Sequence, residues 1–276
     1  MPEKTIDTTK CTKCGRCIEI CPIEIWETDD TTGFPLVSRP KDKRCTACGH
    51  CEAICPENAI AVLGENLAGP AEPWDGPMPT PEQVAGYFTS RRSVRRFVPE
   101  AVDRKTLERL LDIARYAPSG INRQPVAWNV LNSPAAVKKL ATLTAEWMRG
   151  QLRAKTPVSL SLRFDILIEA WDKGKDPLCR NAPACLFACA PREDRMAGMD
   201  GTIAIAHVEL AAPAFGLGAC WAGYLSIAAN MHAPIRAAAG IPEEFACIGS
   251  LMIGRPKFAF VRTPRRNAAR VKWIAG

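Results

Sequence analysis

The chemistry open to this chain of 276 residues is concentrated in two cysteine runs. Cys11, Cys14, Cys17 and Cys21 lead into Pro22, and Cys45, Cys48, Cys51 and Cys55 lead into Pro56. Each run reads C-x2-C-x2-C-x3-C-P. A [4Fe-4S] cube needs four thiolates converging on its iron corners. Three cysteines at two-residue spacing wrap one cube, while the fourth, leaving on a helix, reaches the neighbouring one. The expected wiring is therefore crossed. Cys11, Cys14, Cys17 and Cys55 hold a first cluster, and Cys45, Cys48, Cys51 and Cys21 a second. The proline after each fourth cysteine removes a backbone donor and turns the chain away from the helix end. Zinc also uses C-x2-C pairs, but it takes four thiolates and leaves no use for the doubled third and fourth positions. A disulfide framework suits small secreted domains, whereas this chain is long enough to bury its own core and shows no secretory signal.

A second chemistry is spread over four short motifs. Arg91, Arg92, Ser93, Val94, Arg95, Arg96 and Phe97 bring guanidinium forks and a hydroxyl together, as a phosphate monoester requires. A solvated basic helix end would look the same in isolation. Pro118, Ser119, Gly120, Ile121, Asn122, Arg123, Gln124 and Pro125 form a polar turn whose side-chain amides can bond the edge of a heterocycle. Gly216 to Tyr224 is glycine-rich and allows close backbone approach to a flat ring. Pro264, Arg265 and Arg266 add a second cationic pair.

The cysteine segment resembles a bacterial two-cluster ferredoxin domain, and Glu82 to Gly276 resembles the nitroreductase family of FMN flavoproteins. The second resemblance implies that Arg91, Arg92, Ser93 and Arg95 hold the FMN phosphate and ribityl chain. It implies that Pro118, Ser119, Gly120, Asn122 and Gln124 line the flavin, that Ala222 and Gly223 lay backbone amides near N5, and that Arg265 and Arg266 complete the phosphate site. Ile253 to Lys257 match a family strand end. It also implies a homodimer with FMN at the subunit interface. No side chain need act as a nucleophile; Cys220 and Tyr224 are the candidates for a proton donor, with buried filler the plainer role for Cys220.

The elements that must position these residues follow from the pattern. The expected organisation is a two-cluster ferredoxin domain over 1–66, a Pro/Gly-rich linker over 67–81 in which Trp74 pins the chain, and an FMN-binding domain over 82–276. Asp29 to Gly33 reads as a hairpin tip. Helices are expected from Glu82 to Arg92, from Asp103 to Ala117, from Ala135 to Met148, from Asp200 to Phe215 and from Leu225 to Ala239. Strands are expected at Val126–Leu131, Ala184–Ala190 and Ala246–Ile253. Residues 149–175 have poor periodicity but enough apolar character to cover a partner or the mouth of the site. The fold class is α+β, a ferredoxin-like domain followed by a nitroreductase-like sandwich on a mixed sheet. Cys179, Cys185 and Cys189 have no ligand spacing and are expected in the core, the last two on one strand face. His50, His207 and His232 also lack ligand spacing; His207 is expected to be a satisfied core residue.

Charge is uneven. Residues 1–64 hold 8 Lys/Arg against 10 Asp/Glu, a balance of −2, and the remainder holds 28 against 19, a balance of +9. A nucleic-acid surface is not expected, because no recognition helix or aromatic-basic platform accompanies the arginines. Thirteen cysteines with no paired framework among the five outside the runs indicate a reducing compartment. With no signal peptide and no apolar run of membrane-spanning length, a low-oxygen cytoplasm is expected. The function expected is that of an oxidoreductase passing electrons from a low-potential donor, reduced ferredoxin or NAD(P)H, through two [4Fe-4S] clusters to FMN. From there they reach an electron-poor small molecule such as a nitro-aromatic or a quinone. The alternatives are an electron-transfer module serving a partner protein, and a binding or maturation protein with structural clusters.

Overall fold

The structure, a computed structural model, describes residues 4–62, 73 and 75–274. The expected pinning by Trp74 and most of the linker lie outside the described residues. The chain divides into two compact units, one formed by Met1–Met78 with Gly120–Arg123 and the other by Pro79–Ser119 with Gln124–Gly276.

The first unit is a duplicated small fold. Strand β1 (Thr5–Ile6) pairs antiparallel with β4 (Ile60–Ala61), and β2 (Trp26–Thr28) pairs with β3 (Pro35–Val37). Between them lie two one-turn helices, α1 (Arg16–Glu19) and α2 (His50–Ala53). The halves superpose in sequence at a constant offset of 34, and the backbone keeps the same register. Lys13 and Ala47, Gly15 and Gly49, and Glu24 and Asn58 form three pairs of left-handed residues. Gly15 and Gly49, both at φ 73°, start the two short helices. The Asp29–Gly33 tip forms as expected: Asp29 Oδ1 accepts from the Thr31 and Thr32 amides at 2.9 and 2.6 Å, closing the β2–β3 hairpin. The core is Ile25, Trp26, Ile60 and Val62 packed with Cys17, Cys45 and Cys51.

The second unit is a four-stranded sheet between two helical layers. Its strands are β5 (Ala127–Leu131), β6 (Ala184–Pro191), β7 (Gly218–Trp221) and β8 (Phe245–Gly254), in the order β5-β6-β8-β7. Every pairing among them is antiparallel, which corrects the expectation of a mixed sheet. Alternation along β6 explains the layers. Cys185, Phe187 and Cys189 face one core with α5 (Pro134–Arg153), α7 (Phe164–Asp172), α9 (Gly223–Met231) and α10 (Ala233–Ala238). Ala184, Leu186 and Ala188 face the other, with α4 (Arg104–Ala114) and α8 (Ala197–Ala211). Cys185 and Cys189 thus share a buried face as expected, and Cys179 is buried in the same cluster.

Local signals account for most boundaries. Thr80 and Gln83 form a reciprocal capping box that starts α3 (Pro81–Ser90), and Asp103 caps α4 by accepting from the Thr106 amide at 2.9 Å. Two expectations are corrected. Residues 149–175 are mostly helical, the end of α5 followed by α6 (Pro157–Ser161) and α7; Phe164 and Ile168 enter the core of their own unit, while Leu160 and Ile166 are exposed. Phe164 is fully buried, with its ring 5.5 Å from that of Trp147. The single helix expected over Leu225–Ala239 breaks into α9 and α10 at His232, whose extended backbone (φ −139°) precedes Ala233 and Pro234.

Gly218 is small for a packing reason. A Cβ there would lie 2.4 Å from Val94 Cγ2, and the Val94 amide donates to the neighbouring Ala219 carbonyl at 2.9 Å. Gly218→Ala is therefore expected to destabilise the unit by about 1–3 kcal/mol, the usual range for overpacking. Urea unfolding followed by tryptophan fluorescence measures this, and an unchanged midpoint would contradict the packing.

Candidate functional site

Within the first unit the eight cysteines of the two runs surround two cavities. One is lined by Cys11, Cys14, Cys17 and Cys55, the other by Cys21, Cys45, Cys48 and Cys51. The fourth cysteine of each run thus lines the opposite half's cavity. The loops repeat atom for atom: the Lys13 and Ala47 amides each donate to the sulfur of Cys11 and Cys45 respectively, both at 3.4 Å. Burial pushes the Cys17 thiol up to about 11, reinforced by Cys11 and Cys14. Burial likewise raises Cys51. A cationic iron core would reverse that penalty, because cluster ligation requires the thiolate. The donor set is all sulfur, four thiols to each cavity, and it fits an iron-sulfur group.

The arginine motif of the second unit splits by role. It runs extended beside β7, with Val94 and Phe97 buried, Arg91, Arg92 and Ser93 half-buried, and Arg95 and Arg96 exposed. Arg91 Nη1 is paired with Glu209 Oε1 at 2.8 Å, and the other oxygen of Glu209 accepts from Trp221 Nε1 at 3.1 Å. Arg92 donates to the carbonyls of Arg91 and Thr89, but its buried Nε has no partner. A buried guanidinium N–H left in this condition is what an anion would satisfy, so the cradle fits a phosphate group. Arg265 and Arg266 lie exposed after β8, and among the described residues neither contacts this cradle.

The polar turn divides as well. Ser119 Oγ accepts from the Gln124 amide at 2.9 Å, and Pro118, Ser119 and Gln124 line a cavity with Ala114, Trp128 and Ala204. Gly120 and Asn122 group instead with the first unit. There Asn122 Nδ2 donates to the Ala47 carbonyl at 2.9 Å and the Thr46 carbonyl at 3.4 Å, within the Cys45–Cys48 loop. Ile121, Asn122 and Gln124 all have positive φ, a strained condition for a β-branched residue such as Ile121. In the glycine-rich loop the Ala222 amide donates to the Ser250 carbonyl at 2.8 Å. Gly223 opens α9 with no atom within 4 Å of where its Cβ would stand. Cys220 is buried with its thiol toward the Trp221 carbonyl at 3.6 Å, and Tyr224 packs edge-on to Phe164 at 6.3 Å.

Comparison with known proteins matches residues 88–255 to the nitroreductase family and residues 10–60 to the 4Fe-4S dicluster domain. The chain belongs to the nitroreductase family. A relative from Archaeoglobus fulgidus, whose name includes NAD(P)H nitroreductase, is 26% identical over 181 residues, covering 64% of this chain and 87% of that one. The 4-nitrobenzoate reductase of Pseudomonas putida is 50% identical over only 42 residues, 15% of this chain and 18% of that protein. A solved nitroreductase from Bacteroides fragilis with bound FMN superposes with a TM-score of 0.57 at 20% identity, covering 70% of this chain and 99% of that one. The protein is therefore an oxidoreductase of the nitroreductase type, carrying an N-terminal 4Fe-4S ferredoxin domain.

Two residues of this nitroreductase chain escape a motif search. Glu209 is one of two acids on the largely apolar helix α8, and it ties Arg91 to the glycine-rich strand. Arg180 acts electrostatically on Cys220 together with Arg95: burial raises that thiol and the two cations pull it back. The turn carrying Arg180 is set by buried Asp176, which accepts from the amides of Leu178, Cys179 and Asn181 at 3.0, 2.8 and 3.0 Å. An acid two to five residues before the amides it accepts from was the available signal. His207 is half-buried, with Nδ1 2.9 Å from the Ile203 carbonyl, as a satisfied core histidine. No helix among the described residues is long and apolar enough to cross a membrane.

Proposed function

We propose that this nitroreductase-family protein takes electrons one at a time from a low-potential donor into two [4Fe-4S] clusters and delivers them, by way of FMN, to an electron-poor organic molecule. Nitro-aromatics and quinones are the substrate class. The observation that carries this reading is the pair of cysteine-lined cavities, because a one-electron store built into a flavin enzyme has a use only if electrons arrive singly. The family's FMN supplies one- and two-electron chemistry at its ring when bound, and the clusters supply one-electron transfer.

The chain's own part is to bind, neutralise and orient. Arg92, Ser93, Arg95 and Arg180 are the residues we assign to the phosphate, with Arg91 held in place by Glu209. Pro118, Ser119 and Gln124 are assigned to one edge of the ring, and Gly223 at the start of α9 to a backbone approach. Gly120 and Asn122 are assigned to the cluster loop. A homodimer is part of the reading. Helix α3 has no buried residue, and Val84, Tyr87 and Phe88 on it are 40–55% exposed. Val261, Trp273 and Ile274 beyond β8 are more exposed still, and a second copy of the chain is the natural cover for both. Arg265 and Arg266 are then assigned to a phosphate at that interface. The compartment consistent with such clusters is a reducing, low-oxygen cytoplasm.

The test is purification without oxygen followed by analysis of iron, sulfide and FMN, and a spectral titration with a low-potential one-electron donor. About eight irons and one FMN per chain are expected, with cluster bleaching preceding flavin reduction and reoxidation on adding a nitro-aromatic. Zinc in place of iron, or flavin that stays oxidised while the clusters bleach, would overturn the reading.

A further inference from the structure

The duplication of the first unit is broken in the way its two cysteine loops are held. The offset of 34 that equates Cys11 with Cys45 also equates Lys13 with Ala47. Both residues have positive φ, 58° and 51°, and both donate a backbone amide to the sulfur of the cysteine two positions before, at 3.4 Å. A left-handed residue other than glycine is costly, so each loop needs a contact that keeps it there. Lys13 supplies its own. Its Nζ donates to the Thr32 carbonyl at 2.7 Å and lies 4.2 Å from the centroid of the Phe34 ring, which ties the first loop to the β2–β3 hairpin. The methyl group of Ala47 can do nothing of the kind.

The second loop is held from a distant part of the sequence. Asn122 Nδ2 donates to the carbonyls of Ala47 at 2.9 Å and Thr46 at 3.4 Å, across 75 and 76 positions of the chain. Asn122 belongs to Gly120–Arg123, four residues that group with the first unit while the chain on either side of them groups with the second. The Arg123 amide closes this short turn on the Gly120 carbonyl at 3.2 Å. Ile121 and Asn122 stand in it at φ 47° and 56°, a conformation asparagine tolerates and isoleucine resists. The strained turn is retained with its side-chain amide on the cysteine loop, as expected where strain serves a site.

We propose that Asn122 is the positioning residue of the second cluster, holding the Cys45–Cys48 loop in the shape that retains it, and that the loaded loop in turn holds the 120–123 turn. The assignment rests on the two-cluster reading. Thr46 and Cys48 line the second cavity, so the carbonyls that Asn122 engages belong to the wall around that cluster. Opening the loop to release iron must first break these hydrogen bonds. Because coupling between two binding events is reciprocal, a cluster that depends on the turn also stabilises it. The first loop carries its own lysine and is independent of both.

The experiment is iron release to an excess of a ferrous chelator, without oxygen, from the full chain with and without Asn122→Gly. Glycine keeps access to positive φ and removes the amide. In the Cys11→Ala/Cys55→Ala chain, whose remaining iron is that of the second cluster, release is expected to become about tenfold faster, as the loss of one such hydrogen bond allows. In the Cys21→Ala/Cys45→Ala chain, which keeps the first cluster, release should be unchanged; a general loss of stability would speed both. A second arm leaves Asn122 in place and follows hydrogen exchange at the Arg123 amide. Exchange is expected to quicken when the second cluster is removed by Cys21→Ala/Cys45→Ala and to stay as in wild type when the first is removed. Release unaffected by Asn122→Gly or quickened in both chains, or an Arg123 amide indifferent to the second cluster, would overturn the proposal while leaving the cluster reading intact. A wild-type chain without iron would remove both.

Discussion

The Cys11→Ala/Cys55→Ala chain, purified without oxygen, is expected to retain about half its iron, falling from about eight to about four per chain. The Cys45→Ala/Cys55→Ala chain, which also lacks two cysteines, is expected to lose nearly all of it. The reason is the wiring. Cys11 and Cys55 line one cavity, so removing both damages one cluster and spares the other. Cys45 belongs to the opposite cavity, so pairing its loss with that of Cys55 takes a ligand from each. An uncrossed arrangement, in which each run serves its own cluster, predicts the reverse order of iron contents. Iron analysis on the two variants decides between them, and equal iron in both would exclude the two-cavity assignment.

Arg92→Met is expected to weaken FMN binding by at least about 30-fold, corresponding to about 2 kcal/mol for the loss of a charged donor from a phosphate. Stability of the flavin-free protein should change by no more than about 1 kcal/mol. The two carbonyl contacts of the guanidinium are lost, but so is the cost of a buried Nε with no partner. That separation of binding from stability identifies Arg92 as a ligand-directed residue. Arg91 would not serve as well, because its removal strands Glu209 within the chain. Flavin fluorescence titration and urea unfolding are the two measurements. Unchanged FMN affinity would return the Arg91–Arg95 segment to a structural role.

The ferredoxin half of the molecule was legible in the linear sequence, since the cysteines that line its cavities lie close together in two local loops. Gly15 and Gly49 marked the left-handed starts of the short helices, and Asp29 and Gly33 marked the hairpin. Local chemistry of the same kind placed the caps at Thr80 and Asp103. Patterns over a few residues determine such features because the atoms that make them are neighbours in the chain.

Tertiary structure decided what depends on long-range pairing. Residues 149–175 show little helical period, yet Phe164 and Ile168 are drawn into the core by α5 across the α7 interface; burial overrode the weak local signal. The direction of the sheet strands was equally hidden, as alternating helices and strands are compatible with either sense. The same held for side chains with several partners available. Asn122 turned to the carbonyls of Thr46 and Ala47, the Ala222 amide went to Ser250, and Glu209 claimed Arg91. The sequence by itself determined which residues could bind metal and phosphate. The fold decided which of those donors remain unpaired and so are available to a ligand, because a buried polar group must be satisfied by whichever partner packing brings within reach.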